Sequence, residues 1–445
     1  MSLPSKARPS RRSFLASSLG LGAGVFVANS VPGADPVRRG RLDKVRVAVI
    51  GCGGKGHSDG MAMAEHEVVA LCDVDFQRAK GLIEAFPKAR RYHDLRELLD
   101  REKGLDAVVV STPDHTHAIA AARAMARGLH VFCQKPLTHS VEEARILTML
   151  AARAGVVTQM GNQGTCRDGT RAAIEAVQAG AIGAVREVHV WTNRPVWPQD
   201  FAAAVGVDPI PADLRFDLWL GPRRHRPYHK SMGHFVWRGF WDFGTGALGD
   251  MACHLMNLPF FALRLGSPLR IEAEAVEGGN EISAPARSRL RFRFPARGAM
   301  PPVDLLWYDG GLLPSHEWLP AGEKLSIGGS AMIGERGVLY SFDDYGERWR
   351  LLPEADFADY TPPTPTWPRG SDIHREWLEA IAGGPAPKSE FAHAGPFTEA
   401  ILLGNVALRT RANLSWDPVG MRLTGSSEAN ALLRDDYAYG FELEG

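Results

Sequence analysis

The sequence lacks an excess of charge of either sign, a disulfide framework and a long internal apolar run. Lys plus Arg and Asp plus Glu each number 51 in 445 residues, so no global charge points to nucleic acid or to an anionic membrane. No internal stretch is long enough to span a bilayer, and no repeat is visible. The cysteines are scattered without the spacing of a zinc or disulfide site: Cys52, Cys72, Cys133, Cys166 and Cys253. We therefore expect no nucleic-acid partner, no metal site and no membrane span in the mature chain.

The clearest positive feature is a glycine-rich turn after a β-branched run at residues 45–50. The run predicts a strand buried on both faces of a parallel sheet. It ends in Gly-x-Gly-x-x-Gly at Gly51, Gly53 and Gly56, with Gly54 inside the motif. Gly51 permits a tight turn, Gly53 lets a pyrophosphate approach the backbone, and Gly56 lets the next helix pack against the strand. Together with the free N–H groups of that helix, the motif predicts a dinucleotide site.

A second predicted strand, residues 68–72, ends at Asp73, about 20 residues after the glycines. An acidic residue there is suited to bind the ribose hydroxyls and repels a 2′-phosphate, so NAD is favoured over NADP. The alternative is an ordinary strand–turn–helix unit that binds no nucleotide.

Strands and helices alternate as far as residue 160, which predicts an α/β fold with a doubly wound parallel sheet. Later segments, at 185–192, 271–276, 288–294, 303–307 and 324–327, predict a largely antiparallel sheet. We expect a signal and linker at 1–40, a Rossmann domain at 44–160, a substrate and oligomerisation domain at 161–415, and a C-terminal tail at 416–445. The predicted helices are 77–86, 95–101, 118–127, 141–154, 162–178, 373–382 and 396–409.

Residues 10–15, Ser-Arg-Arg-Ser-Phe-Leu, precede a mildly apolar, glycine-containing segment. This pattern is typical of a twin-arginine export signal, which carries folded proteins into the periplasm. A periplasm has no free nicotinamide pool, so an exported enzyme would need a tightly bound cofactor that is recycled in place. The alternatives are a basic N-terminal segment without targeting function, or an uncleaved anchor.

Two further patterns could carry chemistry. Asp250 and His254 are four residues apart, so on a helix they share one face, and a carboxylate beside a histidine is typical of a general base. A capping aspartate with a core histidine, or a metal pair, would give the same spacing. Lys135 follows a predicted strand and precedes a proline, where a buried lysine could bind a substrate oxygen. A solvated lysine is the alternative.

Four motifs in this order resemble those of the Gfo/Idh/MocA oxidoreductases, named for glucose–fructose oxidoreductase and inositol dehydrogenase. They are the glycine motif, Ser-Thr-Pro-Asp-His-Thr-His from Ser111, Gln-Lys-Pro from Gln134, and Asp-x-x-x-His from Asp250. The resemblance implies a Rossmann domain followed by an open-sheet domain that often forms homo-oligomers. It places the catalytic groups at Lys135, Asp250 and His254. Further cofactor contacts would come from Thr112, Pro113, His115, Gln134 and Lys135.

The chain departs from the family pattern at one position, because the usual Glu-Lys-Pro is Gln134-Lys135-Pro136 here. The lysine remains, but the charge beside it is lost. Residues 219–243 are dense in aromatic and basic side chains, which could cover a sugar ring or form a subunit interface. The candidate substrate residues are Asn162, Gln163, Arg238 and Trp241.

These patterns favour an NAD-dependent oxidoreductase that acts on a sugar, glycoside or cyclitol, the carbohydrate being its small-molecule partner. In this interpretation His254 takes the hydroxyl proton, Lys135 steadies the oxyanion and Asp250 orients His254. One alternative is NAD-dependent glycosidic cleavage through transient oxidation of C3. Another is a sugar-binding protein without catalytic activity.

Overall fold

The computed structural model describes residues 44–201, 206–438 and 440–443. The predicted export signal at 1–40 lies outside these residues. The first unit is a parallel six-stranded sheet with strand order β3-β2-β1-β4-β5-β6, which places the topological switch point between β1 and β4. Its strands are β1 Arg46–Ile50, β2 Glu67–Cys72, β3 Arg90–Tyr92, β4 Ala107–Val110, β5 His130–Cys133 and β6 Thr158–Met160. Its helices are α1 Lys55–Met61, α2 Lys80–Ala85, α3 Leu95–Arg101, α4 Asp114–Met125 and α5 Val141–Ala154.

Local sequence signals explain several of these boundaries. Strand β4 is buried along its whole length, as expected for a β-branched run in a parallel sheet. Helix α5 begins with a capping box, in which Ser140 and Glu143 satisfy each other's backbone N–H groups. It ends at Gly155, which has the left-handed conformation typical of a helix C-cap.

The second unit is a nine-stranded sheet with order β13-β12-β11-β7-β10-β9-β8-β14-β15. Only β7 and β10 pair in parallel, so the sheet is mixed and mostly antiparallel, and the predicted fold class is confirmed. Its strands are β7 Val185–Trp191, β8 Arg270–Glu277, β9 Arg287–Phe294, β10 Val303–Tyr308, β11 Gly329–Gly334, β12 Gly337–Ser341, β13 Trp349–Leu352, β14 Leu414–Asp417 and β15 Arg422–Thr424. The remaining helices are α6 Asp168–Gln178, α7 Phe216–Leu220, α8 Gly246–Leu255, α9 Asn257–Ala262, α10 Ile373–Ile381, α11 Phe391–Thr410 and α12 Ser427–Ala431.

Some predicted elements differ in the structure. No strand forms at 324–327; the strand in this region is β11, which starts at Gly329 and pairs with β7 and β12. The predicted helix 77–86 is confined to α2, and the helix predicted from residue 396 begins five residues earlier, in α11. The second sheet also continues through β15, beyond the boundary expected at residue 415.

The C-terminal segment packs on its own chain rather than projecting from it. Arg223 donates to Asp435 over 2.7 Å, and the hydroxyl of Tyr437 donates to Glu143 at the start of α5 over 2.9 Å. The backbone oxygen of Gly440 accepts a bond from Arg123 over 3.1 Å. These contacts hold the segment against the outer helices of the first sheet. Within the described ranges, no helix has the length and apolar character needed to cross a bilayer.

Candidate active site

A cleft of about 580 Å³ lies at the carboxyl ends of the parallel strands. Residues after β1, β2, β4 and β5 line one side, which is where open α/β sheets bind ligands. The other side comes from helix α8, from residues after β7 and β12, and from residues 211–238. The cleft is therefore built by both units of the fold.

The glycine motif forms the floor of the cleft. Gly51 has a φ of +82°, and a Cβ there would lie 2.6 Å from the carbonyl oxygen of Ser111. A Cβ on Gly56 would lie 1.9 Å from the oxygen of Gly51, so this glycine permits close packing of α1 on β1. Gly54 has a φ of +52° and faces open space, and Gly53 also lines the cleft. The loop thus leaves bare backbone where a pyrophosphate would approach.

Asp73 lies in the cleft at the end of β2, as predicted. Its carboxylate accepts the backbone N–H of Cys52 over 2.7 Å and that of Asp75 over 2.9 Å. These two bonds fix the carboxylate beside the glycine loop. Burial raises the pKa of Asp73, while the backbone bonds oppose that shift.

Thr112 and Pro113 line the cleft after β4, and the buried hydroxyl of Thr112 has no partner within the described residues. His115 does not line it, so its predicted cofactor contact is wrong. Its ring nitrogens lie 3.3 Å and 3.0 Å from the carbonyl oxygens of Phe243 and Trp219. The ring points towards the second unit because its aromatic neighbours and these carbonyls are there.

Lys135 and Arg238 meet at one carboxylate. The Nζ of Lys135 donates to Oδ1 of Asp250 over 2.8 Å and to the backbone oxygen of Asp250 over 3.2 Å. The Nε of Arg238 donates to the same Oδ1 over 3.0 Å. Although burial alone would raise the pKa of Asp250, the charges of Lys135 and Arg238 lower it well below the usual range. The cluster therefore holds two cations and one anion beside the cleft.

His254 lines the same cleft as Lys135. Burial, followed by the charge of Lys135, lowers the pKa of His254 to about 3, so the ring is neutral at pH 7. Its Nδ1 is buried without a hydrogen-bond partner among the described residues. The expectation that Asp250 orients this ring is wrong, because the carboxylate binds Lys135 and Arg238 instead.

Two of the four candidate substrate residues line the cleft and two do not. Gln163 and Arg238 line the cleft, and Gln163 donates to the hydroxyl of Tyr345 over 3.2 Å. Asn162 is fully buried and donates to the backbone oxygen of Cys253 over 2.6 Å. Trp241 donates to the backbone oxygen of Asn280 over 3.1 Å. Neither Asn162 nor Trp241 lines the cleft, so both predictions are wrong: these side chains join segments of the second unit.

Sequence reasoning missed several lining residues because they come from loops without a motif. Tyr345 packs edge-on against His254, with ring centroids 5.1 Å apart. Arg194 and Asp344 also line the cleft, and a guanidinium nitrogen of Arg194 lies 3.9 Å from a carboxylate oxygen of Asp344. The buried Asp59 on α1 was also missed. No group of three or more potential metal ligands is present in the part of the chain that the structure describes.

Residues 206–243, here called the strap, cross over the first unit beside the cleft. The backbone N–H of Arg215 donates to the oxygen of Val74 over 2.9 Å, just beyond β2. Trp219 reaches the cleft from the strap, and Phe441 reaches it from the C-terminal segment. The guanidinium of Arg96 stacks on Phe441 at 4.1 Å. Part of the lining of the cleft therefore comes from segments outside the first unit.

Two models of one oxidoreductase family match the chain. The model of its NAD-binding Rossmann fold matches residues 45–162, and the model of its C-terminal alpha/beta domain matches residues 181–294. Together they cover just over half of the chain. The first matched segment spans the strands of the first unit, and the second covers the part of the second unit from β7 to β9.

Curated relatives match about a quarter of the chain. Glucose-6-phosphate 3-dehydrogenase of Bacillus subtilis is 30% identical over 119 residues, which are 26% of this chain and 33% of the relative. Inositol 2-dehydrogenase of Arthrobacter sp. is 37% identical over 106 residues, covering 23% and 31%. The chain thus spans only about a third of the length of these relatives.

Solved structures extend the likeness to the whole fold. WlbA dehydrogenase from Bordetella pertussis, solved with NADH and UDP-GlcNAcA, superposes with a TM-score of 0.58 at 18% identity. The match covers 84% of this chain and 99% of that one. At this identity the likeness establishes the fold alone.

Proposed function

Because the chain belongs to the Gfo/Idh/MocA oxidoreductase family, whose NAD-binding Rossmann fold forms its first unit, we propose that it oxidises a hydroxyl of a sugar, glycoside or cyclitol with NAD. The observation that carries this proposal is the placement of Lys135, Asp250 and His254 in one cleft with the glycine loop. The names of the curated relatives, which include sugar and inositol dehydrogenases, support the substrate class.

The residues of the cleft fit a dinucleotide. Gly53 and Gly54 present bare backbone, Asp73 is held ready for ribose hydroxyls, and the buried hydroxyl of Thr112 has no partner in the described chain. NAD, when bound, would supply the acceptor for the hydride. We propose that it is held by these groups together with Pro113 and Gln134, as the motif implies.

In the proposed reaction His254 accepts the proton of the substrate hydroxyl. It is neutral at physiological pH and can therefore take a proton without first losing one. Its low pKa makes it a weak base for an ordinary alcohol, so the transfer depends on the acidity that the hydroxyl gains as its carbon is oxidised. The charge of Asp250 favours the protonated ring once it forms.

Lys135 and Arg238 supply the charge that stabilises the developing oxyanion. Asp250 neutralises one of the two cations, which leaves a net positive charge at this end of the cleft. A fixed positive charge in a buried site stabilises an oxyanion more than the neutral hydroxyl from which it forms. Lys135 is therefore the proposed oxyanion contact, with Asp250 as its anchor.

We also propose that the nicotinamide is held tightly and recycled in place. Trp219 of the strap and Phe441 line the cleft beside the first unit, so they would add contacts to a bound dinucleotide and slow its release. The twin-arginine pattern supports the same proposal, because an exported enzyme would carry its cofactor from the cytoplasm. The fold's open sheet, with alternate outward arginines on β9, is the face that we propose for a homo-oligomer.

The test is the ultraviolet spectrum of the purified full chain, followed by addition of one sugar, glycoside or cyclitol at a time. We expect a bound nicotinamide and growth of the reduced-nicotinamide band with a sugar-like alcohol. A protein that carries no nicotinamide, and shows no band with added NAD and any of these substrates, would contradict the proposal.

The proposed retention of the nicotinamide also favours a redox-neutral reaction as a second candidate. An enzyme that cannot exchange its cofactor could cleave a glycoside by oxidising C3, eliminating the aglycone, adding water and reducing the carbon again. Release of aglycone without net change in the reduced-nicotinamide band would favour cleavage. A reduced-nicotinamide band that grows and persists, without release of aglycone, would favour simple oxidation.

A further inference from the structure

Asp59 is a fully buried carboxylate beneath the glycine loop, and the reaction described above does not use it. Its Oδ1 accepts from Lys55 and lies 3.0 Å from Nε2 of His374 on α10. Its Oδ2 accepts from Ser111 over 2.8 Å and from the amide of Gln134 over 2.9 Å. Four side chains from four segments therefore converge on this one group.

The hydrogen bond from Gln134 to Asp59 depends on the replacement of Glu-Lys-Pro by Gln-Lys-Pro in this chain. An amide can donate to a carboxylate, whereas a second carboxylate at this distance would repel it unless one of the two took up a proton. Gly161 leaves the space that the amide fills, because a Cβ there would lie 2.5 Å from Nε2 of Gln134. The other end of the amide faces Lys135, whose backbone N–H lies 3.4 Å from Oε1.

We propose that Asp59 is a positioning residue for Lys135: it fixes the Gln134 amide, and that amide fixes the strand end from which the lysine projects. The structure thus supplies from α1 the carboxylate that the motif lacks at position 134. Only one of the side chains at positions 59 and 134 can be an ionised carboxylate, and in this chain it is Asp59. The inference rests on the proposed function, because it assigns Asp59 to the same reaction.

The basic side chains that face Asp59 are Lys55 from its own helix and His374 from α10. Asp372 lies 3.8 Å from the other nitrogen of His374. Although burial raises the pKa of Asp59, His374 and Lys55 lower it below the usual value, so the carboxylate is ionised in the folded protein. A second carboxylate at 134 would face this charge, and no further basic side chain contacts Asp59 in the described part of the chain.

The charge rule proposed here is that positions 59 and 134 together carry only one carboxylate. Thermal unfolding of four full-length proteins tests it without any activity measurement: wild type, Asp59→Asn, Gln134→Glu and the double variant. In Gln134→Glu the two carboxylates raise the pKa of one of them above its unfolded value. The stability loss should therefore grow as the pH rises from 5 to 8. The double variant again has one carboxylate, so the further loss that Gln134→Glu causes in the Asp59→Asn background should be smaller and should not grow with pH. Equal losses for Gln134→Glu in both backgrounds, at both pH values, would overturn the charge rule.

Turnover then tests the positioning role, with a spectroscopic measure of bound nicotinamide for each protein. Asp59→Asn should lower kcat by roughly ten- to a hundredfold, about the value of one charged hydrogen bond, with little change in KM or cofactor content. The double variant should recover part of that loss. Asp309→Asn is the matched control, since Asp309 is a buried carboxylate with bonds from Ser288 and Trp307 and does not line the cleft. It should change the melting temperature but leave kcat unchanged.

Failure of this inference differs from failure of the proposed function. If the wild type transfers hydride but Asp59→Asn matches it in kcat, or the double variant is no better than Asp59→Asn, Asp59 does not position Lys135. If the wild type transfers no hydride to any sugar-like substrate, the proposed function itself is wrong. The melting curves still decide whether one carboxylate is shared by the two positions.

Discussion

Replacement of Asp250 by Asn separates two roles that the sequence and the structure give this residue. The sequence pattern pairs Asp250 with His254, whereas in the structure its Oδ1 holds Lys135 at 2.8 Å and Arg238 at 3.0 Å. At an effective dielectric constant of about 20, unit charges 2.8 Å apart interact by about 6 kcal/mol. Desolvation of the buried groups opposes much of this, and breaking a buried pair typically costs about 3–5 kcal/mol.

Only part of this lost interaction free energy should appear as a higher activation barrier. The backbone oxygen of Asp250 lies 3.2 Å from the lysine Nζ and remains in Asp250→Asn. We expect a rise in the activation barrier of about 2–3 kcal/mol, which is a roughly 30- to 150-fold lower kcat. Steady-state kinetics with a substrate found by the spectral screen would measure it, and a spectrum of the variant would confirm bound cofactor.

A double-mutant cycle identifies the partner through which Asp250 acts. If the carboxylate anchors Lys135, Asp250→Asn should add little to Lys135→Met, and its effect should add fully to that of His254→Ala. The opposite pattern, additivity with Lys135→Met and none with His254→Ala, would refute the reasoning and restore the aspartate–histidine pair expected from the spacing.

Further predictions concern the base, the cofactor and the signal. His254→Ala should lower kcat by roughly 10²–10⁴ with a smaller effect on substrate binding; an equal loss in binding would argue against a base. Since the pKa of His254 is lowered to about 3, its ionisation should give no acid limb of kcat/KM between pH 5 and 8, and a limb near pH 6.5 that vanishes in His254→Ala would contradict this. Asp73→Ser combined with Arg introduced at the neighbouring Val74 should shift the preference towards NADP in binding assays, and wild-type protein purified with NADP would oppose the assignment. Arg11 and Arg12 changed to Lys should leave a folded, cofactor-loaded protein in the cytoplasm by fractionation, so normal export would mean that the signal was misinterpreted.

Local patterns in the sequence were enough to predict most of the first unit. The strand predicted at 68–72 forms β2, which begins one residue earlier, and the helix predicted at 141–154 has those bounds in the structure. An apolar run and a capping box both act over a few residues. The glycine motif likewise predicted the floor of the cleft, since its spacing reflects one turn.

Partners distant in the sequence could not be predicted in the same way. Spacing on a helix suggested that Asp250 serves His254, but Lys135 lies 115 residues away and carries a full charge, which binds a carboxylate more strongly than a neutral ring. The contact of Asp59 with His374 spans 315 residues and has no local signature. Asn162 and Trp241 carry N–H groups that suit a substrate, yet the backbone oxygens of Cys253 on α8 and of Asn280 accept them.

The lining of the cleft has a consequence for the order in which the protein is made. The glycine loop leaves the ribosome early, whereas the strap and Phe441 are added after the first unit has its full set of strands. Because domains generally fold as they emerge, the nucleotide site of the first unit can form before these parts of the lining are synthesised. A dinucleotide could then bind the first unit during translation, and the strap and Phe441 would pack beside it afterwards. Loading during synthesis would thus need none of the later segments.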